Sequence, residues 1–181
     1  YDSVDIVSII RTFVGKGSPA DISATLALAV RLGRVAGNTN SLQQYVDNYV
    51  GLDCSGFVTN YLNLAYDAKI DIMNKSATSY REPAANRVGE LEDILPRQIM
   101  AWAGTNHVAI IDSLDLDWLR LVAGKSTDGD LTGMQMTVVE ANGSRGLNHA
   151  TYTVKSVDSH KVFKVKRSYQ SQLWRVYILD R

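Results

Sequence analysis

Leu52-Asp53-Cys54-Ser55-Gly56-Phe57-Val58 starts a helix. Phe57, Val58, Tyr61, Leu62 and Ala65 recur at helical spacing counted from Cys54. Asp53 is a good N-cap residue. Cys54, the only cysteine in 181 residues, therefore falls in the first turn. There, backbone N–H groups and the helix dipole favour negative charge on sulfur. A lone cysteine makes neither an internal disulfide nor a zinc cluster. Two readings stand at this point: a nucleophile, or an inert thiol packed on an apolar helix face.

Upstream of this stretch the chain reads as helical. Ile6, Ile9, Ile10, Phe13 and Val14 keep a helical spacing that Gly15 and Gly17 stop. Ser18-Pro19-Ala20-Asp21 has the pattern of a helix start, with a capping serine, proline at the first position and an acid at the third. Ile22, Leu26, Ala29, Val30 and Gly33 form the packing face of that helix, and Gly37-Asn38 ends it. A third helix fits Ser41 to Val50 and the Cys54 helix runs to about Tyr66. Residues 67–97 read as a long connection, a kind of segment that is often functional in a compact domain.

Downstream the period changes to that of strands. Gln98–Ala103, His107–Asp112, Trp118–Ala123, Met134–Ala141, Ala150–Ser156, Lys161–Lys166 and Leu173–Leu179 are separated by Gly, Asn and Asp clusters. Helices first and strands after predicts an α+β fold, with N-terminal helices packed on an antiparallel sheet or open barrel. The length suits a single domain over 1–181, with a helical part (1–66) and a β-rich part (98–181). Hydrophobic residues make up 45% and charged residues 21%, an ordinary globular balance. The formal net charge is zero, which gives no electrostatic reason to expect a nucleic-acid partner. No run is long enough for a transmembrane helix, and no signal peptide is visible. The start at Tyr1 rather than Met leads us to expect that a leading segment has been removed.

A thiol nucleophile needs a base, and the base needs something to orient it. Of three histidines, His107 heads the apolar run Val108-Ala109-Ile110-Ile111, which puts its ring at a sheet edge. His149 and His160 lie in polar loops and read as solvated. The strand ending Val138-Val139-Glu140-Ala141-Asn142-Gly143 carries an acid at its end. If it lies antiparallel beside the His107 strand, Glu140 and His107 become neighbours. Glu140 then either holds the imidazole in a useful tautomer or merely marks where the strand leaves the core; Asn142 is an alternative orienting residue.

These residues resemble a family. Asp53-Cys54-Ser55-Gly56-Phe57-Val58 is similar to the D-C-S-G-[FL]-V signature of the NlpC/P60 cysteine peptidases. Asn106-His107-Val108-Ala109-Ile110 is similar to their G-H-V-G-[IV] strand, and Val139-Glu140-Ala141-Asn142-Gly143 more loosely to their I-H-A-S-G segment. The resemblance spans roughly residues 45–145 and implies a papain-like core. By it, Cys54 is the nucleophile, His107 the general base and Glu140 the orienting residue. The Cys54 backbone N–H helps form an oxyanion hole, and Asp53, Ser55 and Tyr49 border the substrate. The histidines and acids show no metal-ligand spacing such as H-E-x-x-H, so neither a metal nor a cofactor is expected. The resemblance also implies a bacterial, extracytoplasmic or secreted enzyme that cleaves peptidoglycan stem peptides at the D-glutamyl–diamino acid bond.

Two departures stand out. Leu95-Pro96-Arg97-Gln98-Ile99 replaces the family's P-G-D-L, and Glu140 lies 33 positions after His107 instead of across a short hairpin. They keep open a thiol protease, deamidase or acyltransferase on another substrate, such as a delivered toxin with an immunity partner, and an inactive binding module. Three weaker signals have plainer readings. Gly124-Lys125-Ser126-Thr127 lacks the first glycine of a phosphate-binding loop, since position 119 is Leu119. Lys161 to Arg167 reads as an exposed strand guarded by lysines. Trp102, Trp118 and Trp174 read as core.

Overall fold

The computed structural model describes residues 5–82, 84–115, 133–142 and 146–180. Their contacts gather into two compact units. One comprises the chain up to Lys75 with Ala141–Gly146; the other comprises Ser76–Glu140 with Leu147–Arg181. The Trp118–Ala123 strand candidate, the Gly124–Thr127 motif and Gly143 lie outside the described residues.

The first unit holds four helices, α1 (Ile6–Phe13), α2 (Pro19–Arg31), α3 (Thr39–Tyr49) and α4 (Cys54–Tyr66). Each has a capped start. Asp5 accepts from the Val7 N–H, Ser18 and Asp21 form a reciprocal capping box, Asn38 accepts from Ser41, and Asp53 accepts from Gly56. The α1–α2 junction is polar. Thr12 is fully buried, its hydroxyl 2.9 Å from the Ser8 carbonyl, and Thr25 Oγ1 lies 3.2 Å away. The apolar stripe of α1 faces largely outward instead: Ile6, Ile10, Phe13 and Val14 are exposed, and Ile9 is half-buried. On α2 only Ala29 of the expected packing face is fully buried.

The start of α4 fits tightly against the turn after α1. Gly15 takes a positive φ of 76°, and its carbonyl accepts from the Asp53 N–H at 2.9 Å. A Cβ on Gly56 would stand 2.4 Å from that same carbonyl oxygen. The Lys16 ammonium ties down the next segment, reaching the carbonyls of Ile72 at 3.0 Å and Lys75 at 2.6 Å. Residues 67–97 are therefore not a bare connection. They contain four short 3-10 turns, and Ile72, Tyr80, Val88, Leu91 and Ile94 are buried.

The second unit is built on six strands: β1 (Ile99–Trp102), β2 (Val108–Leu114), β3 (Gln135–Asn142), β4 (Gly146–Val157), β5 (Phe163–Arg167) and β6 (Leu173–Leu179). They pair in chain order, and β1 also pairs antiparallel with β6, Ile99 opposite Leu179 and Trp102 opposite Val176. This overturns the expected α+β core of papain-like type, in which helices cover an open sheet. The sheet is instead a closed six-stranded antiparallel barrel. Alternation names the strands but does not tell whether the first and last of them meet; the β1–β6 pairing decides it.

Inward positions alternate along every strand and fill the barrel with Met100, Ala109, Ile111, Met136, Val138, Val154, Phe163, Val165, Val176 and Ile178. Register shifts at Ile111/Ser113 and Val154/Ser156 provide the bends that closure requires. The exposed Lys164 and Lys166 are no edge guards, because β5 is paired on both sides and the lysines occupy its outer face. No helix among the described residues is long and apolar enough to cross a membrane.

The Gly56 contact is backbone against backbone, so neither side can yield cheaply. Gly56→Ala is expected to cost about 1–3 kcal/mol, the usual range for overpacking. Thermal unfolding should show Tm lowered by about 5 °C for a chain of this size. Gly51→Ala, where an added Cβ meets nothing within 4 Å, should leave Tm within about 1 °C.

Candidate active site

Cys54 is the first residue of α4 and is buried, 9% exposed. Its Sγ lies 4.0 Å from Asp53 Oδ1. The Asp53 carboxylate is engaged locally: Oδ2 accepts from the Gly56 N–H at 3.0 Å and also contacts the Ser55 hydroxyl. Ser55 Oγ meets a second acceptor, the Lys75 carbonyl, at 3.1 Å, so one hydroxyl proton faces two oxygens. Asp53 and Ser55 thus shape the turn that carries the thiol. Tyr49, the last residue of α3, is 61% exposed and packs its ring 5.0 Å from that of Tyr45.

His107, Glu140 and their partners belong to the barrel unit. Inward alternation carries one residue from each strand region to the same barrel end: Trp102, His107, Glu140, Tyr152, Arg167 and Trp174. Glu140 follows Met136 and Val138 on the inner face of β3, where the pattern calls for an apolar side chain. It is 1% exposed. A carboxylate buried in this way must be paired. Arg167 Nη2 stands 2.6 Å from Oε1, close enough for a strong ion pair although too bent for a regular hydrogen bond. Tyr152 donates its hydroxyl to Oε2 at 3.0 Å. His107 Nε2 lies 3.3 Å from the same oxygen.

Two opposing effects set the protonation of Glu140. Burial raises its pKa. The His107 hydrogen bond, the Arg167 charge and the Tyr152 hydroxyl together outweigh burial and hold it below the usual glutamate value. Burial and the neighbouring carboxylate push the Tyr152 phenol well up, so Tyr152 stays a donor. An ionised carboxylate only accepts, so His107 Nε2 is the nitrogen that carries the proton in the neutral ring. Nδ1 is then the nitrogen without a proton in that neutral form.

The imidazole is also held from its flank. Trp102, 3% exposed, packs edge-on against it with ring centroids 4.4 Å apart. The turn leading into His107 is pinned by Arg81, which donates to the Ala103 carbonyl at 3.1 Å and to Asn106 Oδ1 at 3.3 Å. Thr78 adds a bond to Asn106 at 2.9 Å. His149 is exposed and sits 3.7 Å from Asp112, and His160 lies in an exposed turn.

The structure therefore brings together His107 and Glu140, the pair expected from antiparallel strands. Asn142 is half-buried two residues beyond. Arg167 and Tyr152 were not among the expected site residues. The signal for Arg167 lies in its spacing: Phe163, Val165 and Arg167 share one face of β5, so the arginine turns inward while the lysines turn outward. Tyr152 is opposite Arg167 in the β4–β5 register.

No family model, curated protein or solved structure matches the chain. The resemblance to NlpC/P60 peptidases therefore rests on its motifs alone, whereas the Glu140 cluster can be tested by itself. Because the folded pKa of Glu140 lies below the ordinary 4.5, its contribution to stability is complete above that value. It is lost as pH falls through the lower, folded value. Denaturant unfolding from pH 7 to 3 should show this loss for the wild type and a smaller one for Glu140→Gln. At neutral pH Glu140→Ala, which leaves Arg167 buried without its counter-charge, should cost about 3–5 kcal/mol.

Proposed function

We propose that this protein is a cysteine hydrolase of the peptidase or amidase type. The observation that carries the proposal is the buried Glu140 carboxylate, held ionised and set against Nε2 of a partly exposed histidine. That arrangement is the orienting half of a nucleophile–base–acid system. The motif around Cys54 supplies the nucleophile, and its place at a capped helix start suits a thiol that must carry negative charge.

The proposed reaction runs in two steps. Cys54 Sγ gives up its proton to His107 Nδ1 and attacks the carbonyl carbon of an amide. The tetrahedral adduct collapses as His107 returns that proton to the departing amine nitrogen, leaving a thioester on Cys54. Water then attacks the thioester while His107 takes a proton from it. The carboxylic acid product leaves and the thiol is restored. Glu140 stabilises the imidazolium formed in each step without itself being protonated.

The motif resemblance names a peptidoglycan stem peptide as the first substrate to test and an extracytoplasmic or secreted setting. A thiol protease, deamidase or acyltransferase is the alternative, and the same residues would carry its chemistry.

Amide hydrolysis should be assayed on purified muropeptides and on a peptide library, with products read by mass spectrometry. Cys54→Ala and His107→Ala should each lower kcat/KM at least about 10³-fold with the fold intact by circular dichroism. Glu140→Gln should lower it less, by about 10–100-fold. Unchanged turnover by Cys54→Ala would rule the proposal out.

A further inference from the structure

Lys164 and Lys166 guard no sheet edge, so their place on the outer face of β5 needs another reason. The register lays two rows of side chains across that face. Ser156, Lys164 and Arg175 form one row; Thr153, Lys166 and Leu173 form the next. Lys164 and Arg175 are both exposed and stand directly opposite each other, and like charges so placed destabilise a sheet. Asp158, which meets Arg175 only at 3.7 Å, offsets part of this. The imbalance is regional. The chain has 19 basic and 19 acidic residues, but Ala150 to Tyr177 holds six basic residues and one acid. Of the six, Arg167 turns inward to Glu140, whereas Lys155, Lys164, Lys166 and Arg175 are exposed. A protein of zero net charge thus carries a local positive potential on one sheet face.

The tip of the same hairpin is apolar and strained. Tyr169, in the turn between β5 and β6, has a φ of 65°, a left-handed conformation that bulky side chains rarely adopt. Glycine or asparagine is usual at such a position. The Tyr169 side chain is 107% exposed, so internal packing does not account for the residue. Leu173, across from Lys166, is 53% exposed. The hairpin therefore presents a phenol ring and a leucine beside its cations.

We propose that the outer face of the β5–β6 hairpin docks on an anionic phospholipid bilayer. Lys164, Lys166 and Arg175 meet the headgroup charge, and Tyr169 and Leu173 enter the boundary between headgroups and acyl chains. The cations alone suit any polyanion; the apolar tip selects the bilayer. Tyrosine, with an apolar body and a polar end, favours the membrane–water interface, whereas a soluble polyanion offers Tyr169 and Leu173 nothing to enter. The docking is peripheral, since the barrel interior is filled with apolar side chains and only an outer face is used. Arg167, the partner of Glu140, directly follows Lys166, so docking brings the His107 end of the barrel to the bilayer surface. This adhesion is independent of the hydrolase reading.

Sedimentation of the full chain with vesicles measures binding without any turnover. The vesicles are phosphatidylcholine alone, or phosphatidylcholine with about 30% phosphatidylserine. Binding to the phosphatidylserine vesicles should be at least about tenfold tighter, and should weaken about tenfold between about 0.1 and 0.5 M salt. Lys164→Gln/Lys166→Gln should lose about tenfold in affinity. Arg31→Gln/Arg34→Gln, the same charge change at exposed positions in and just after α2, should stay within about twofold of the unsubstituted protein. Tyr169→Gly suits the positive φ, so Tm should be kept or raised while binding to the phosphatidylserine vesicles falls at least about threefold. Equal binding to both lipid mixtures, or equal losses in the two double variants, would overturn the assignment. So would undiminished vesicle binding by Tyr169→Gly. Binding of inorganic polyphosphate with no binding to either vesicle would overturn the bilayer and give the face to a soluble polyanion.

Discussion

A carboxylate inside a barrel sets the terms for everything around it. Glu140 occupies an inward position of β3 and is almost wholly withdrawn from water. An isolated charge there would be far costlier than the net stability of a small domain. It is tolerated because β2, β4 and β5 each place a partner at the same end: His107, Tyr152 and Arg167. Barrel closure is what sets those strand ends and the two flanking tryptophans around one layer. The same pairing that satisfies the charge sets Nε2 of the His107 ring against the carboxylate, so the group that stabilises the barrel end is also the one the proposed mechanism would use. Removing any one partner should therefore disturb both.

The helical unit works on a different constraint, close backbone approach. The Gly15 carbonyl accepts from Asp53 N–H and lies where a Gly56 Cβ would be. The glycine that follows Cys54-Ser55 is thus needed for docking the helix start, independently of any catalytic role. Asp53 has the same double character: it caps α4, and its other oxygen lies 4.0 Å from the thiol sulfur. The motif around Cys54 is as much a solution to building a helix start as a signature of chemistry.

Local order was readable where the chain signals it locally. Asp53 as N-cap and the periodic face from Cys54 to Ala65 place α4 at the limits observed, Cys54–Tyr66. The six described strands follow from alternation between turn residues. What alternation cannot convey is the long-range pairing of Ile99 with Leu179 that closes the barrel, hence the mistaken open sheet. The His107–Glu140 approach was legible because antiparallel neighbours bring one strand's end to the other's start. Arg167 was hidden in a run of lysines that reads as surface, although its phase with Phe163 and Val165 marks it as inward. In α1 the hydrophobic spacing was right, but the buried face proved to be the threonine side, because Thr12 and Thr25 satisfy each other.

The proposed mechanism requires the Cys54 thiol and the His107–Glu140 pair to act as one chemical unit. Iodoacetamide alkylation of Cys54, followed by intact mass from pH 5 to 9, tests it most directly. At pH 7 the wild-type protein should react at least about tenfold faster than free cysteine, His107→Ala should fall to the free-cysteine rate, and Glu140→Gln should lie between. A wild-type profile that coincides with that of His107→Ala across the whole range would contradict the account.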